Sequence, residues 1–145
     1  MSPLLIRLMN PMMAFMIRRN IGALGQAMMI ITHTGRKSGR QYSTPIGYLR
    51  DGDSVLGFNV GGGSQWYKNL KQNPVVTLTI QGQSGRYRAR YITDTDEIAR
   101  VLALYQRGVP KGQYERFFGV PVDMPAEQAA RSPQLRAVFV RFQPE

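Results

Sequence analysis

Residues 27–60 read AMMIITHTGRKSGRQYSTPIGYLRDGDSVLGFNV, and the way this stretch divides decides the fold. A first strand, Ala27 to Thr34, apolar up to Ile31, leads into a tight turn holding Gly35, Arg36, Lys37, Ser38 and Gly39. A second strand-like run, Arg40 to Leu49, leads out, and Asp51-Gly52 supplies a hairpin turn into a third, Ser54 to Val60. Pro45 has no N–H to give a ladder, which places it at a sheet edge or a bulge, where a ligand can enter. In the turn, two glycines permit the positive φ angles that point backbone N–H groups at an anion. Arg36 adds a planar fork and Lys37 a compact charge. The turn is therefore expected to grip the anionic end of a ligand, with an ordinary exposed hairpin as the competing reading.

Further along, Gly61-Gly62-Gly63-Ser64 is the most flexible-looking stretch and opens a short helix over residues 65–71, ended by Asn73-Pro74. Trp66 and Leu70, four apart, share one face of it. A glycine run before a helix lets a ligand reach bare backbone and a helix N-terminus; a plain connector is the alternative. Residues 75–81 and 86–93 read as strands, the second placing Arg86, Arg88 and Arg90 on a solvated face opposite Tyr87, Ala89 and Tyr91. Asp94 and Glu97 form a capping pair for a helix with Ile98, Val101, Leu102 and Tyr105 inward, ended by Gly108 and Pro110. Tyr114, Phe117 and Phe118 are expected on one helical turn, with Pro121, Pro125 and Pro133 interrupting the stretch up to residue 134. Residues 135–142 close the chain as a central strand. The 145 residues suit one domain, 1–145, with a helix over 1–22 and the strands and inserted helices over 23–145. So many short strands in one α+β domain suggest a barrel, which removes exposed edges.

The formal net charge is +10, and it is uneven: residues 1–50 hold seven Arg and Lys and no acid, whereas the rest holds twelve basic and nine acidic residues. An anionic partner is expected at the N-terminal third. Residues 3–19 form an apolar, helix-length segment that Arg7 and Asn10-Pro11 interrupt, too short to span a bilayer. It is read either as a helix packed on the domain or as one lying on an anionic membrane surface. The chain has no cysteine and one histidine, His33, which leaves no disulfide, no thiolate metal site and no His-rich one; no metal is expected. His33 itself is read as a strand histidine with one local hydrogen bond. No nucleophile–base set or paired-carboxylate site emerges, so catalytic residues stay unassigned, and any chemistry is expected to be carried by a bound cofactor. A small basic barrel also admits single-stranded nucleic acid, stacked on Tyr42, Tyr48, Tyr87 and Tyr91, but this is the minor reading and no nucleic acid is expected.

Several pieces occur together and in order: Thr34-Gly35-Arg36-Lys37-Ser38-Gly39, Thr44-Pro45, Leu49-Arg50-Asp51-Gly52, Gly62-Gly63, Trp66-Tyr67-Lys68-Asn69-Leu70 and Asn73-Pro74. Together they resemble the deazaflavin-dependent nitroreductase family. The resemblance implies a split β-barrel of about six strands, akin to the flavin-reductase or FMN-binding type. It implies an oxidoreductase passing a hydride from reduced 8-hydroxy-5-deazaflavin coenzyme (F-420) to a quinone, nitroaromatic or other activated acceptor, in the cytoplasm and often on the inner face of the membrane. On matching positions Arg36, Lys37 and Ser38 hold the phosphate and glutamate tail, with Arg40 as a further charge and Asn69 as support. Thr44 and Pro45 line the ring, and Val60, Gly61 and Gly62 pass close to it. Val60-Gly61 stand where the family carries a serine–lysine pair, which brings in FMN as an alternative cofactor and a non-catalytic flavin- or lipid-binding barrel as an alternative function. Tyr48 and Tyr114 are the candidate substrate-lining residues.

Overall fold

A computed structural model describes residues 28–145; the expected N-terminal helix, including residues 3–19, lies outside the described residues. Seven strands make one antiparallel sheet: β1 (Met28–Thr34), β2 (Gln41–Gly47), β3 (Leu49–Asp51), β4 (Ser54–Val60), β5 (Val75–Ile80), β6 (Gln83–Ile92) and β7 (Ala137–Pro144). Their hydrogen-bonded order is β2-β1-β5-β6-β7-β4-β3. β2 and β3 are thus at opposite edges, yet only Tyr48 separates them along the chain. One residue cannot bridge an open seven-stranded sheet, since neighbouring strands stand about 4.8 Å apart. The sheet must curl until its edges meet. It does: a Cβ on Gly57 of β4 would stand 3.6 Å from Ile46 Cδ1 of β2. No ladder joins β2 to β4 in this order, so the barrel is split along that seam. The sequence pattern suggested one strand over residues 40–49; the chain instead breaks at Tyr48 and changes edge, which gives seven strands rather than six.

Alternation in the strands sorts side chains between two cores. Met29, Ile31, Ile46, Val55, Leu78, Val140 and Phe142 fill the barrel, joined by Trp66 and Leu70 from α1 (Gln65–Asn69) and the turn after it. The opposite-face neighbours Leu56 and Phe139 point outward under α2 (Thr95–Gly108), α3 (Lys111–Phe118) and α4 (Ala126–Arg131). Phe118 lies at the centre of that outer layer, with ring centroids 5.0–5.4 Å from Phe58, Tyr105 and Phe139. Pro45 is on an edge strand, as its missing N–H requires. Arg86, Arg88 and Arg90 are exposed, and Tyr87 and Tyr91 pack against the barrel core.

Polar contacts fasten α2 to the sheet. Asp94 caps it by accepting from the Glu97 amide at 2.9 Å. The Glu97 side chain does not complete a capping box; it takes both Arg90 Nη1 and Nη2 at 2.8 Å and Arg141 Nε at 3.0 Å. Arg141 also donates to Asp51 Oδ2 at 2.8 Å and Ser54 Oγ at 2.7 Å. The hydrogen bonds from Arg90, followed by those from Arg141, hold the Glu97 carboxyl down at about 2 against an ordinary 4.5. A depressed carboxylate stabilises the fold fully above pH 4.5 and progressively loses that contribution as pH falls toward 2. Glu97→Gln is expected to cost about 1–2 kcal/mol in urea unfolding at pH 7 and to flatten the stability profile in that acid window.

Candidate functional site

The seam of the barrel opens into a cleft of about 1400 Å³. Thr44, Pro45 and Tyr48 border it from the β2 side, Phe58 and Val60 from β4, and Tyr105 and Phe117 from the helical layer. The wall is mostly apolar and aromatic, as small-molecule sites usually are, with polar side chains that include Thr44, Arg50, Asn59, Gln65 and Arg116. The Tyr105 hydroxyl is buried in this wall without a hydrogen-bond partner among the described residues, and burial pushes its pKa up. An orphaned hydroxyl there favours a ligand that brings an acceptor.

Beside the cleft, the turn at residues 35–39 folds back tightly. Gly35 N–H donates to Arg40 O at 2.7 Å and Gly39 N–H to Gly35 O at 3.0 Å. The two glycines serve different purposes. Gly39 supplies the positive φ, +71°. Gly35 has no positive φ; it is required because a Cβ would meet Ser38 Oγ at 2.7 Å and Tyr42 Cε2 at 2.8 Å. Ser38 is spent on the turn, through Tyr42 Oη at 3.0 Å and the Arg40 amide at 3.2 Å. Lys37 and Arg40 are exposed, and no acidic side chain pairs with either among the described residues. Arg36 leans toward α1: its Nη1 donates to Gln65 Oε1 and Asn69 Oδ1, each at 2.8 Å, and its amide to Asn69 Oδ1 at 3.1 Å.

Asn69 is 3% exposed and His33 1%. Asn69 Nδ2 stands 3.0 Å from His33 Nδ1, and His33 Nε2 3.1 Å from Thr44 Oγ1. The imidazole stacks on Tyr42 at 5.7 Å. Burial lowers its pKa from 6.5 to about 4, which keeps it neutral near pH 7. The single local hydrogen bond expected from the sequence is thereby corrected: His33 sits in the middle of a relay from Arg36 to Thr44 whose central step is buried and whose two ends are partly buried. On the opposite rim, Gly61 and Gly62 both have positive φ, +79° and +70°. This loop is tied rather than loose, with Asn59 Nδ2 donating to Ser64 Oγ at 2.6 Å, Ser64 N–H to Asn59 Oδ1 at 3.1 Å and Gly61 N–H to Arg136 O at 2.7 Å. The helix it opens has five residues, too short to build much field at its N-terminus.

Of the residues singled out by sequence, Thr44, Pro45, Tyr48, Val60 and Tyr114 line the cleft, though Tyr114 is fully buried behind Phe118. Arg36, Lys37, Ser38 and Arg40, on and just after the turn, do not line the cleft, nor do Gly61, Gly62 and Asn69; Arg36 borders a separate hollow with Tyr67, Lys68, Lys71, Gln72 and Tyr91. Gln65, which reaches both Arg36 and the cleft, and the Asn59–Ser64 clamp were missed. The one signal for the clamp was a buried-pattern Asn at the end of an apolar strand.

The sequence profile of the F420H(2)-dependent quinone reductase family matches residues 12–131. The chain belongs to that family. A Mycobacterium tuberculosis relative, provisionally named F420H(2)-dependent quinone reductase Rv3178, is 30% identical over 77 residues, which is 50% of this chain and 64% of that protein. The matched part thus spans under two thirds of that relative's length. Among solved structures, an F420-H2 dependent reductase, FDR-A, superposes with a TM-score of 0.52 at 20% identity, over 80% of this chain and 94% of that one. The heme storage protein HutZ of Vibrio cholerae gives 0.56 at 14% identity, over 94% and 92%. Likenesses at these identities concern the fold, a split barrel in the family as in this chain. Among the described residues no group of His, Cys, Asp and Glu is placed to hold a metal, and no helix is long and apolar enough to cross a membrane.

Asn69→Ala leaves His33 Nδ1 and the Arg36 amide unpartnered in the interior, so urea unfolding is expected to show a loss of about 2 kcal/mol. Lys37→Ala, on the exposed turn, is expected to change stability by less than about 0.5 kcal/mol.

Proposed function

We propose that the chain binds reduced 8-hydroxy-5-deazaflavin coenzyme (F-420) in the barrel seam and passes its hydride to a quinone in the same cleft. The observation that carries this reading is an apolar cleft with a hydroxyl rim, beside a turn whose cations have no acidic partner, in a chain of this family. The residues fit the group: Thr44 offers a hydroxyl to the ring edge, Pro45 a flat apolar floor, and Tyr105 a buried hydroxyl that lacks a partner. When bound, the reduced coenzyme would supply a hydride and give up a proton; the quinone takes both to become a hydroquinone and the deazaflavin is left oxidised.

The chain's own residues bind, orient and dry the reactants. Lys37 and Arg40, with the unengaged Nε and Nη2 of Arg36, face the phosphate and carboxylates of the tail, and Ser38 shapes the turn that presents them. Asn69 and Gln65 aim Arg36. The left-handed Gly61 and Gly62 let backbone come close to the ring beside Val60, where no lysine adds a second grip. Phe58, Phe117 and Tyr105 exclude water from the transfer path, with Tyr48 on the acceptor side; Tyr114, buried behind Phe118, supports that wall and does not face the acceptor. The acid-free first fifty residues and the apolar run at 3–19 support a cytoplasmic protein resting on an anionic membrane surface, where quinones reside. A nucleic-acid platform gains no such support: Arg88 pairs with Glu145 and Arg90 with Glu97, and Tyr87 and Tyr91 are packed on the core.

Side-by-side fluorescence titrations with the oxidised coenzyme and FMN are expected to show preference for the deazaflavin. Lys37→Ala is expected to weaken the whole coenzyme about tenfold and leave its tail-less, riboflavin-level ring unchanged. Mixing the reduced coenzyme and a soluble quinone with the protein is expected to oxidise the coenzyme. No binding at about 10 µM coenzyme, or tighter FMN binding, would contradict the reading.

A further inference from the structure

His33 is the chain's single histidine, and its neighbours fix the position of its proton. Asn69 Oδ1 receives the Arg36 amide at 3.1 Å and Arg36 Nη1 at 2.8 Å. A backbone N–H and a guanidinium only donate, so the Asn69 atom on which they converge is the carbonyl oxygen. The Asn69 atom facing His33 is then the amide nitrogen, also only a donor. His33 Nδ1, 3.0 Å from it, must offer a lone pair. A neutral imidazole with a bare Nδ1 carries its hydrogen on Nε2, which donates to Thr44 Oγ1 at 3.1 Å. Thr44 Oγ1 is thereby an acceptor from the protein side, and its own hydrogen is left for a group in the cleft that Thr44 lines.

We propose that Asn69 and His33 are positioning residues that hold the Thr44 hydroxyl as a hydrogen-bond donor toward the cleft, selecting a ligand ring that presents an acceptor, a carbonyl oxygen or a bare ring nitrogen, at that edge. The relay begins at Arg36, so the residue that faces the anionic tail also sets, three hydrogen bonds away, the polarity offered to the ring. Identifying that ring as a deazaflavin rests on the function proposed above; the donor order within the protein does not. The nearest charged group on the relay is Arg36 on its turn; Tyr42 covers the imidazole face from β2.

The test has two arms. Long-range proton–nitrogen NMR of the ¹⁵N-labelled full chain at pH 7 reads the lone imidazole directly. The wild type is expected in the Nε2–H tautomer. Asn69→Asp, nearly isosteric but accepting only, is expected to move the hydrogen to Nδ1. An Nδ1–H wild type, or an even mixture, overturns the proposal, and because this reading needs no substitution it decides even if Asn69→Asp fails to fold. The second arm titrates the tail-less ring, which avoids the charge change at Asn69. Thr44→Val and Asn69→Asp are each expected to weaken it about tenfold, the double variant no more than Thr44→Val alone, and Thr44→Ser to retain binding. Additive losses overturn the relay. If the wild type binds neither the coenzyme nor its ring, the cofactor reading fails while the tautomer still supports or overturns the relay.

Discussion

The rest of the structure depends on the chain crossing from β2 to β3 through Tyr48 alone. In the hydrogen-bonded order these strands are the two outer edges, so a linker of one residue forces the sheet to close on itself. Where the edges meet, Pro45 has no N–H to offer and Gly57 has no side chain to hold the edges apart. The seam that results is closed covalently yet unladdered, and it is where the cleft lies. Function is thus set in a defect of the barrel. The barrel supplies rigidity through its Ile, Val and Phe interior, and the seam supplies access.

That arrangement distributes the site over segments far apart in sequence. The turn after β1, the middle of β2, the end of β4 and α1 each contribute a few groups, and buried hydrogen bonds join them. Arg36, Asn69, His33 and Thr44 are linked at 2.8–3.1 Å through partly buried bonds, with the Asn69–His33 step fully buried, where a low dielectric makes the bond strong and a missing partner costly. The same logic operates on the far side of the sheet. There Arg141 gathers Asp51, Ser54 and Glu97 and so fastens the helical layer that walls the cleft to the strand leading away from the seam. Neither network is a surface ornament: each joins elements that the chain itself connects only distantly.

Much of this was legible in the sequence where local chemistry decides. Asp51-Gly52 marked its hairpin, Pro45 its edge, and the alternation of Arg86, Arg88 and Arg90 with tyrosines and alanine its half-buried strand. Asp94 marked its cap. The break at Tyr48 was not legible, because residues 41–51 keep a strand pattern throughout and the change of edge is a tertiary event. Glu97 read as half of a capping box because its real partners, Arg90 and Arg141, come together only through sheet register. In the site, the cations of the 35–39 turn and the Thr44-Pro45 pair could be found from motifs. The role of His33 could not, since it arises when β1 sets it beside β2 and α1 brings Asn69 over it. Gly35 was chosen for the right position and the wrong reason, space rather than φ.

The central claim is that the barrel seam receives the ring while the 35–39 turn receives the tail. A crystal structure of the full chain with the oxidised deazaflavin coenzyme tests it most directly. The account predicts the ring between Thr44-Pro45 and Val60-Gly61, within hydrogen-bond reach of the Thr44 hydroxyl, and the phosphate on Arg36 and Lys37. A ring bound outside the seam, or a tail carried past the turn onto Lys68 and Lys71 with Lys37 untouched, would contradict it.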